Sequence, residues 1–440
     1  MRILIIGSGQ IGAFLAKGLS SEHDIVVIEK NRDTVERIRE TLDVLAIQGD
    51  GDSLATLREA EIEKADIVLA VSGDDRTNIL ASLLSDSFGV SRTIVRIRDV
   101  NYLEYPVLLK KPGILIINPA SIISEKISGL LSAPFAWKTE TLAMGKINML
   151  KLKIEAGTPI VGKKLSELGP PESWIFVAVS RNGQIAIPKG ETKLKAGDYV
   201  FAFGIPSVLQ RLKELLGVEE EKVHSVVIIG GGKLGRTVAK TLSESGISVK
   251  LIESNSERAR LTAEELQNVM VFMGDATDTE TLKEAGAASA DYFIALTGDD
   301  ENNVFSALLA KNLGAKRAMV LYTKSDYIDV IEAIGVDRAI SVRLAIANEI
   351  LSLLRLGGVA HVALVEEGKA EVLEFEMTKN TKILGTPLQK AGFPSGAIVG
   401  IVVRGNDVII PRGDYKPEVG DRLVVFALPD SIKNVEKILG

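Results

Sequence analysis

The sequence contains no cysteine, and only three of its 440 residues are histidine. The absence of cysteine excludes disulfide bonds, thiolate zinc sites, iron–sulfur clusters and a cysteine nucleophile. Three histidines leave little capacity for metal binding or general base catalysis, and no Ser-His-Asp set or pair of catalytic carboxylates can be assembled. We therefore assign neither a metal site nor a catalytic residue.

The sequence also lacks a basic excess and a long apolar run. It has 52 Lys and Arg against 58 Asp and Glu, a net charge of −6. Proteins that bind nucleic acid through its phosphates need a basic surface, so we expect no nucleic-acid partner. A membrane-spanning helix needs about 20 mostly apolar residues, and the best candidate, Gly113 to Trp137, is interrupted by charged residues and prolines. We expect a cytoplasmic chain without direct membrane insertion.

The second half of the sequence repeats the first. The segment GSGQIG at residues 7–12 returns as GGGKLG at residues 230–235, and ADIVLAVSGDD at residues 65–75 returns as ADYFIALTGDD at residues 290–300. Matches along both halves keep an offset of 223 to 225 residues. A constant offset over unrelated positions indicates a tandem duplication.

Short apolar runs alternate with helical patterns over the first part of each half. Apolar runs without polar alternation are typical of strands buried on both faces, and their alternation with helices indicates βαβ units in a doubly wound parallel sheet. The predicted strands of the first half are Ile3–Ile6, Ile25–Ile28, Val44–Ile47, Ile67–Val71 and Thr93–Ile97, and the predicted helical stretches are Gly12–Leu19 and Ile79–Leu84.

A different pattern follows in each half. In the first half it predicts a β-hairpin at Asn182-Gly183, because Asn-Gly favours tight hairpin turns, and a closing helix at Ser207–Leu216. The predicted strands are Met149–Ile154, Ile175–Val179, Gln184–Ile187 and Tyr199–Phe203. Short strands joined by a hairpin and followed by one helix indicate a small α+β domain.

The predicted fold class is α/β, with two Rossmann-like parallel-sheet domains that are each followed by a small α+β domain. The predicted nucleotide-binding domains comprise residues 1–134 and 223–357, and the small domains comprise residues 138–217 and 358–440. The highly charged segment Glu219–Lys222 is the predicted linker between the halves.

In both halves a Gly-x-Gly-x-x-Gly motif follows the first strand and opens a helix. The first glycine permits a tight turn, the second lets the backbone approach a pyrophosphate, and the third allows close packing of helix on strand. The same motif also occurs as a plain turn between strand and helix. The candidate cofactor-binding residues are Gly7, Ser8, Gly9, Gln10, Ile11 and Gly12, with Gly230, Gly231, Gly232, Lys233, Leu234 and Gly235 in the second half.

An acidic residue ends the second strand of each half. Glu29 follows Gly12 by 17 residues, and Glu253 follows Gly235 by 18 residues. A carboxylate at this point accepts hydrogen bonds from the adenosine ribose and repels a 2′-phosphate, which favours NAD over NADP. Lys30 and Arg32 lie close enough to keep binding of the phosphate form, NADP, open in the first half.

Polar turns after the later strands complete the candidate site. Because ligands of open α/β sheets lie at the carboxyl ends of the strands, these turns are placed to contact an adenine or a ribose, although they also read as plain turns and helix caps. Arg98 is placed to approach a phosphate, whereas the aligned residue Thr323 has no charge. The candidates are Asp50, Ser72, Gly73, Arg98, Asp275 and Thr297.

Together these motifs resemble the TrkA family of Trk-system potassium-uptake regulators, which contain two regulator-of-K⁺-conductance (RCK) units. The resemblance implies a peripheral subunit that docks on a membrane-embedded potassium transporter and gates it in response to NAD(H), with ATP or ADP as alternatives at one or both sites. It also implies homo-oligomers, a dimer or tetramer, whose units pair through a helix from Asn118-Pro119 to about Leu131.

Two other functions remain open at this point. One is an NAD-dependent oxidoreductase with a duplicated dinucleotide-binding fold, and the other is a nucleotide-sensing subunit of a different transporter. A dehydrogenase must present an acid or base to the nicotinamide, yet each predicted nucleotide fold is followed by a small domain without an obvious catalytic group. We therefore expect a sensor rather than an enzyme.

Overall fold

The computed structural model describes residues 1–20, 23–102, 111–132, 138–169, 174–205, 212, 215–216, 222–324, 327–354 and 359–440. Most of the predicted helix Ser207–Leu216 lies outside the described residues, as does the predicted linker Glu219–Lys222 except for Lys222.

A six-stranded parallel sheet forms the first domain, with strand order β3-β2-β1-β4-β5-β6. The order reverses between β1 and β4, and this switch point is where open α/β sheets bind their ligands. The apolar runs form the strands because both faces of the sheet are covered by helices. The elements are β1 (Arg2–Ile6), α1 (Gln10–Leu19), β2 (Asp24–Glu29), α2 (Arg32–Thr41), β3 (Leu45–Gln48), α3 (Leu54–Glu59), β4 (Ile67–Ala70), α4 (Asp75–Ser87), β5 (Arg92–Arg96), β6 (Ile114–Ile117) and α5 (Pro119–Ser132).

An antiparallel five-stranded sheet forms the first small domain, with strand order β10-β9-β11-β8-β7. Asn182 and Gly183 both have positive φ, 52° and 75°, at the predicted hairpin turn between β9 and β10. The strands are β7 (Lys138–Leu142), β8 (Ile147–Lys153), β9 (Trp174–Arg181), β10 (Gln184–Ala186) and β11 (Tyr199–Gly204).

The second half repeats the six-stranded parallel sheet, in the order β14-β13-β12-β15-β16-β17. Its elements are β12 (Ser225–Ile229), α6 (Lys233–Glu244), β13 (Ser248–Glu253), α7 (Ser256–Glu265), β14 (Val269–Met273), α8 (Thr279–Glu284), β15 (Tyr292–Ala295), α9 (Asp300–Leu313), β16 (Arg317–Tyr322), α10 (Ile328–Ala333), β17 (Arg338–Ser341) and α11 (Val342–Leu353).

The second small domain is again an antiparallel sheet, in the order β18-β19-β22-β20-β21. Its elements are β18 (Val359–Val365), β19 (Ala370–Glu376), β20 (Ala397–Arg404), β21 (Asp407–Ile409), β22 (Arg422–Ala427) and α12 (Pro429–Leu439). Two parallel sheets and two antiparallel sheets in alternation confirm the predicted fold class and the duplication.

The two halves exchange their last large-domain helices. Helix α5 leaves the first sheet and packs on α6, so that Ile123 and Ile127 belong to the core of the second half. Helix α11 leaves the second sheet and packs on α1, so that Ile346 and Ile350 belong to the core of the first half. The segment predicted to pair RCK units is therefore a helix, and the unit that it contacts is the other half of the same chain.

The small domains also share a core. Phe201 of β11 and Phe426 of β22 lie with their ring centroids 5.8 Å apart, in an apolar cluster built from both sheets. Within the described residues, no helix combines the length and the apolar character needed to cross a bilayer.

Candidate functional site

The first and third glycines of each motif are required by backbone geometry. Gly7 has a φ of 89° and Gly230 a φ of 100°, a region that glycine adopts without strain. A Cβ on Gly12 would overlap the carbonyl oxygen of Gly7, and a Cβ on Gly235 would overlap that of Gly230. These glycines hold helices α1 and α6 close against the ends of β1 and β12.

The second glycine of each motif faces open space. An ideal Cβ on Gly9 or on Gly232 has no neighbouring atom within 4 Å. Both residues are helix N-caps without a side-chain hydrogen bond, whereas Asn31 and Asp74 cap α2 and α4 with their side chains. The first N–H groups of α1 and α6 are therefore not capped by a side chain, and each helix N-terminus forms an open cradle of the kind that binds anions.

Glu29 lies beside the first cradle and is held by three donors. The Ser8 N–H and hydroxyl donate to Glu29 Oε2 at 2.8 and 2.7 Å, and the Asn31 N–H donates to Oε1 at 2.9 Å. Burial opposes ionisation of Glu29, but the hydrogen bonds from Asn31 and Ser8 outweigh burial and keep the pKa of the carboxyl below its usual range. Glu29 is thus an ionised carboxylate at the end of β2, the position from which an acidic residue contacts the ribose in NAD-binding Rossmann folds.

Glu253 has a different environment in the second cradle. Its side chain is only 4% exposed, and Arg258 contacts its Oε1 at 2.8 Å. The Gly231 N–H donates to Oε2 at 2.7 Å, and an ideal Cβ on Gly231 would lie 3.0 Å from the same oxygen. Burial raises the pKa of Glu253, but Arg258 and the backbone donors more than compensate and hold the pKa below its usual range. The acid of the second cradle is thus already paired with a cation.

The turns after β4 and β15 adjoin the cradles. A Cβ on Gly7 would overlap Ser72, so these two backbones lie against each other at the switch point. The Ser72 N–H donates to Asn78 Oδ1 at 2.9 Å, and the Thr297 N–H donates to Asn303 Oδ1 at the same distance. Both asparagines are fully buried.

Asn78 and Asn303 were not assigned as site residues from the sequence. Asn78 Nδ2 donates to the carbonyl oxygen of Arg96, and Asn303 Nδ2 donates to that of Leu321. Each asparagine thereby joins two neighbouring strand ends and fixes the floor of the crevice. The signal was present, since an asparagine recurs at the same place after both Gly-Asp-Asp segments.

Asp50 and Asp275 form local contacts at the outer end of each crevice. Asp50 pairs with Lys30 at 2.9 Å on the exposed surface. Asp275 accepts the N–H and the hydroxyl of Thr277, both at 2.8 Å, and so closes its own turn. In the structure Asp275 therefore acts as a turn residue, which is one of the two interpretations that the sequence allowed.

Arg98 folds back over the first crevice. Its guanidinium donates to the carbonyl oxygen of Gly73 and lies 3.4 Å from Asp75 Oδ1. In the second half the N–H and hydroxyl of Thr323 donate to Asp300, which confirms that Thr323 occupies the position of Arg98.

One cradle residue contacts the opposite half. Lys233, the first residue of α6, lies with its Nζ 2.6 Å from Asp99 Oδ2, and Asp99 directly follows Arg98. The hydrogen bond from Lys233, together with one from the Asn101 N–H, holds the pKa of Asp99 below its usual range. This ion pair therefore connects the second cradle with the segment that follows β5 in the first half.

Two protein-family models match the chain, each of them twice. The model of the TrkA-N domain matches residues 3–117 and 226–342, and that of the TrkA-C domain matches residues 149–217 and 372–440. The chain belongs to the TrkA family. This membership confirms the predicted family.

Full-length relatives agree with the family models. The chain is 38% identical over 440 residues to the Trk system potassium uptake protein TrkA homolog of Archaeoglobus fulgidus, with 100% of both chains covered. It is 34% identical to the Trk system potassium uptake protein TrkA of Vibrio alginolyticus, with 97% of this chain and 95% of the relative covered. Both relatives are named as Trk-system potassium uptake proteins and neither as an oxidoreductase.

Solved structures share the fold. The GsuK channel bound to NAD superposes with a TM-score of 0.62 at 21% identity and covers 100% of this chain and 78% of its own. The GsuK RCK domain superposes with a TM-score of 0.61 at 21% identity and covers 100% of this chain and 94% of its own. The chain thus shares the fold of the GsuK RCK domain along its whole length.

Proposed function

We propose that the chain is a nucleotide-sensing regulatory subunit that binds NAD(H), ADP or ATP in its two glycine cradles and gates a membrane-embedded potassium transporter. The observation that carries this proposal is the uncapped N-terminus of α1 beside the open face of Gly9, with an ionised Glu29 at the ribose end. A diphosphate on the helix N-terminus and a ribose on the carboxylate fit this arrangement.

The GsuK structures support the ligand class. The GsuK channel was solved bound to NAD, and a further GsuK structure, with a TM-score of 0.51 at 18% identity, was solved bound to ADP. Both ligands share an adenosine diphosphate group. We propose that this shared group occupies each cradle.

The two cradles differ in their charged neighbours. Arg98 stands over the first crevice and Thr323 over the second, while Arg258 pairs with Glu253 only in the second half. A ribose must compete with Arg258 for Glu253, but it competes only with neutral donors for Glu29. We expect NAD(H) to bind the first cradle more tightly than the second.

The regulation follows from linkage. A nucleotide that binds one conformation of the assembly better shifts the population toward it by no more than the difference in binding free energy. Couplings of about 1–3 kcal/mol change affinities by about 5- to 150-fold, which is enough to bias a gate. We propose that the chain acts as a homo-oligomer, a dimer or tetramer, at the cytoplasmic face of the transporter.

Calorimetric titration of the full chain with ADP and NAD⁺ tests the proposal. Wild type should bind at two sites, and Gly9→Glu and Gly232→Glu should each remove one of them while the melting temperature is preserved. Gly18→Glu is the matched control, since Gly18 also lies in α1 and an ideal Cβ on it has no neighbouring atom within 4 Å. Two-site binding retained in both cradle variants would refute the assignment.

The transporter partner is tested separately. The chain should co-purify with a Trk-type potassium transporter from membranes that contain both, and nucleotide should change potassium flux only in its presence. Mass spectrometry of the captured membrane protein distinguishes a potassium transporter from an unrelated one. Capture of an unrelated transporter alone would contradict the partner assignment.

A further inference from the structure

An arginine at the end of β5 is mostly buried and makes no ion pair. Arg96 is the last residue of this strand, and its Nε atom is buried without a hydrogen bond. Its guanidinium forms neither a hydrogen bond nor an ion pair with any residue that the structure describes. Burial, together with the nearby charge of Arg98, lowers the pKa of Arg96 to about 10, and the charge of Asp75 offsets this only in part. The fold thus holds a cation largely out of water without a bonded acceptor.

The carboxylate of Asp75, the opposite charge that acts on Arg96, already has other partners. Its Oδ2 accepts the N–H groups of Arg98 and Asp99 at 3.1 and 2.9 Å, and its Oδ1 lies 3.4 Å from Arg98 Nε. The Arg98 guanidinium also donates to the carbonyl oxygen of Gly73. Arg98 therefore uses the acceptors at this end of the sheet, and Arg96 is left with none.

The second half shows that the fold does not need an arginine at this point. The residue paired with Arg96, at an offset of 225, is Leu321, which is only 6% exposed. Asn78 Nδ2 donates to the carbonyl oxygen of Arg96 at 2.9 Å, and Asn303 Nδ2 donates to that of Leu321 at 3.0 Å, so the two backbones are held alike. A leucine is buried here without electrostatic cost, whereas a buried charge without a partner is destabilising. Arg96 is therefore a feature of the first crevice and does not serve the stability of the fold.

The order of the strands places Arg96 and the ribose acid on opposite sides of the first cradle. Strands β2, β1, β4 and β5 are neighbours in this order. Glu29 ends β2, the cradle follows β1, and Arg96 ends β5. Neighbouring strands lie about 4.8 Å apart, so β5 is about 10 Å from β1. A nucleotide with its ribose at Glu29 and its diphosphate at the N-terminus of α1 directs any group beyond the diphosphate over β4 and toward β5.

We propose that Arg96 and Arg98 form an anion subsite of the first crevice that receives the third phosphate of a nucleoside triphosphate. This inference rests on the nucleotide binding proposed above for the first cradle. Guanidinium groups bind phosphate through several N–H groups at once, and the phosphate supplies the acceptor that Arg96 lacks. ADP ends at its second phosphate, and NAD(H) continues with a nicotinamide riboside that carries no further anion. The first crevice thereby distinguishes ATP from ADP, whereas Leu321 and Thr323 offer no cation at the paired positions.

Calorimetry of the full chain with ATP and ADP tests this subsite. The Gly232→Glu background leaves only the first crevice, and EDTA keeps magnesium from neutralising the phosphates. ATP should bind at least about tenfold more tightly than ADP, the effect of one or more hydrogen bonds between charged groups. In the Gly9→Glu background, which leaves only the second crevice, the two nucleotides should bind with similar affinity.

Three substitutions on β5 separate the subsite from the fold. Arg96→Leu should reduce the preference for ATP by about tenfold and leave ADP binding within about twofold, while Arg96→Lys should retain part of the preference because it keeps the charge. Arg92→Leu is the matched control, because Arg92 lies at the opposite end of the strand and donates to the carbonyl oxygen of Leu353 at 3.2 Å. It should leave the ratio of the two affinities unchanged. The melting temperature of nucleotide-free Arg96→Leu should equal or exceed that of wild type, because a buried charge is removed.

The inference is wrong if ATP and ADP bind the first crevice equally well, or if Arg96→Leu retains the full preference for ATP. A lower melting temperature of Arg96→Leu with an equal loss of ATP and ADP binding would give Arg96 a structural role and would also overturn it. Absence of binding by either nucleotide in the Gly232→Glu protein is a different result, since it would overturn the proposed function of the cradle itself.

Discussion

Lys233 in the second cradle and Asp99 in the first half form an ion pair across the boundary between the halves, at 2.6 Å. Asp99 directly follows Arg98, which covers the first crevice. Lys233 is the first residue of α6, the helix whose N-terminus forms the second cradle. The Asp75 carboxylate accepts the N–H groups of both Arg98 and Asp99, at 3.1 and 2.9 Å. The backbone of this dipeptide is therefore fixed, while its two side chains serve different crevices.

The first prediction concerns this pair. Asp99→Asn should raise the affinity of the second cradle for ADP by about two- to fivefold, because Lys233 then attracts phosphate without a competing carboxylate and an exposed pair is worth up to about 1 kcal/mol. The measurement is calorimetry in the Gly9→Glu background, which leaves only the second cradle. Lys324 occupies the position of Asp99 in the other half, so Lys324→Gln is the control. A weaker or unchanged affinity would contradict the prediction.

The second prediction concerns cofactor selectivity. Glu29→Gln keeps the shape and an acceptor for the Ser8 N–H but removes the negative charge. NAD⁺ should bind the first cradle about tenfold more weakly, because a hydrogen bond to a charged group is worth about 1.5–3 kcal/mol, and discrimination against NADP⁺ should decrease. Titration of both dinucleotides in the Gly232→Glu background measures the ratio. An unchanged ratio would show that Glu29 does not contact the ribose.

The third prediction concerns the exchanged helices. Ile127 and Ile350 are both fully buried and occupy paired positions on α5 and α11, each in the core of the opposite half. Replacing a buried isoleucine with alanine costs about 2–5 kcal/mol. Ile127→Ala should accelerate hydrogen exchange in β12 and β13, whereas Ile350→Ala should accelerate it in β1 and β2. Exchange that increases only in the half that contains the substitution would contradict the packing.

The fourth prediction concerns acid stability. Burial opposes ionisation of Asp291, but Lys316 and the N–H groups of His224 and Ser225 overcome it and lower the pKa of Asp291 to about 2. Because this pKa lies below that of the unfolded chain, the stabilisation is present above about pH 4 and is lost as the pH falls toward 2. Asp291→Asn should lower the free energy of unfolding by about 1–2 kcal/mol at pH 7.

Urea denaturation at several pH values measures this effect. The difference in stability between wild type and Asp291→Asn should decrease between pH 4 and pH 2. A difference independent of pH over this interval would assign the loss to packing and not to ionisation.

The alternation of strands and helices was predictable because the central strands are short, wholly apolar runs bounded by glycine turns. Strand β6 was not predicted. Its four residues, Ile114–Ile117, continue through Asn118 and Pro119 into the apolar helix α5, and periodicity alone cannot divide such a stretch into strand and helix. Strand β7 was missed because Lys138–Leu142 has little apolar character and pairs only with β8 at the edge of its sheet.

The glycine cradles and their acids were predictable because each depends on neighbours within about 30 residues along the chain and on a motif with a known backbone mechanism. The role of Lys233 was not, since its partner Asp99 lies 134 residues away in the other half. The ion pair between Lys151 of β8 and Glu366, whose Nζ and Oε1 atoms lie 3.1 Å apart, likewise joins residues of different halves. Contacts of this kind depend on how two halves dock, and no local pattern in the sequence encodes that arrangement.

The exchange of α5 and α11 has a consequence for how the two halves can diverge. In a pair formed by separate identical copies, association depends on protein concentration and each substitution alters both sites at once. Here the partner is held nearby by the chain itself, so the pairing is intramolecular at any dilution. Mutations can therefore change one site while its twin is preserved, and the paired residues Arg98 and Thr323 already differ.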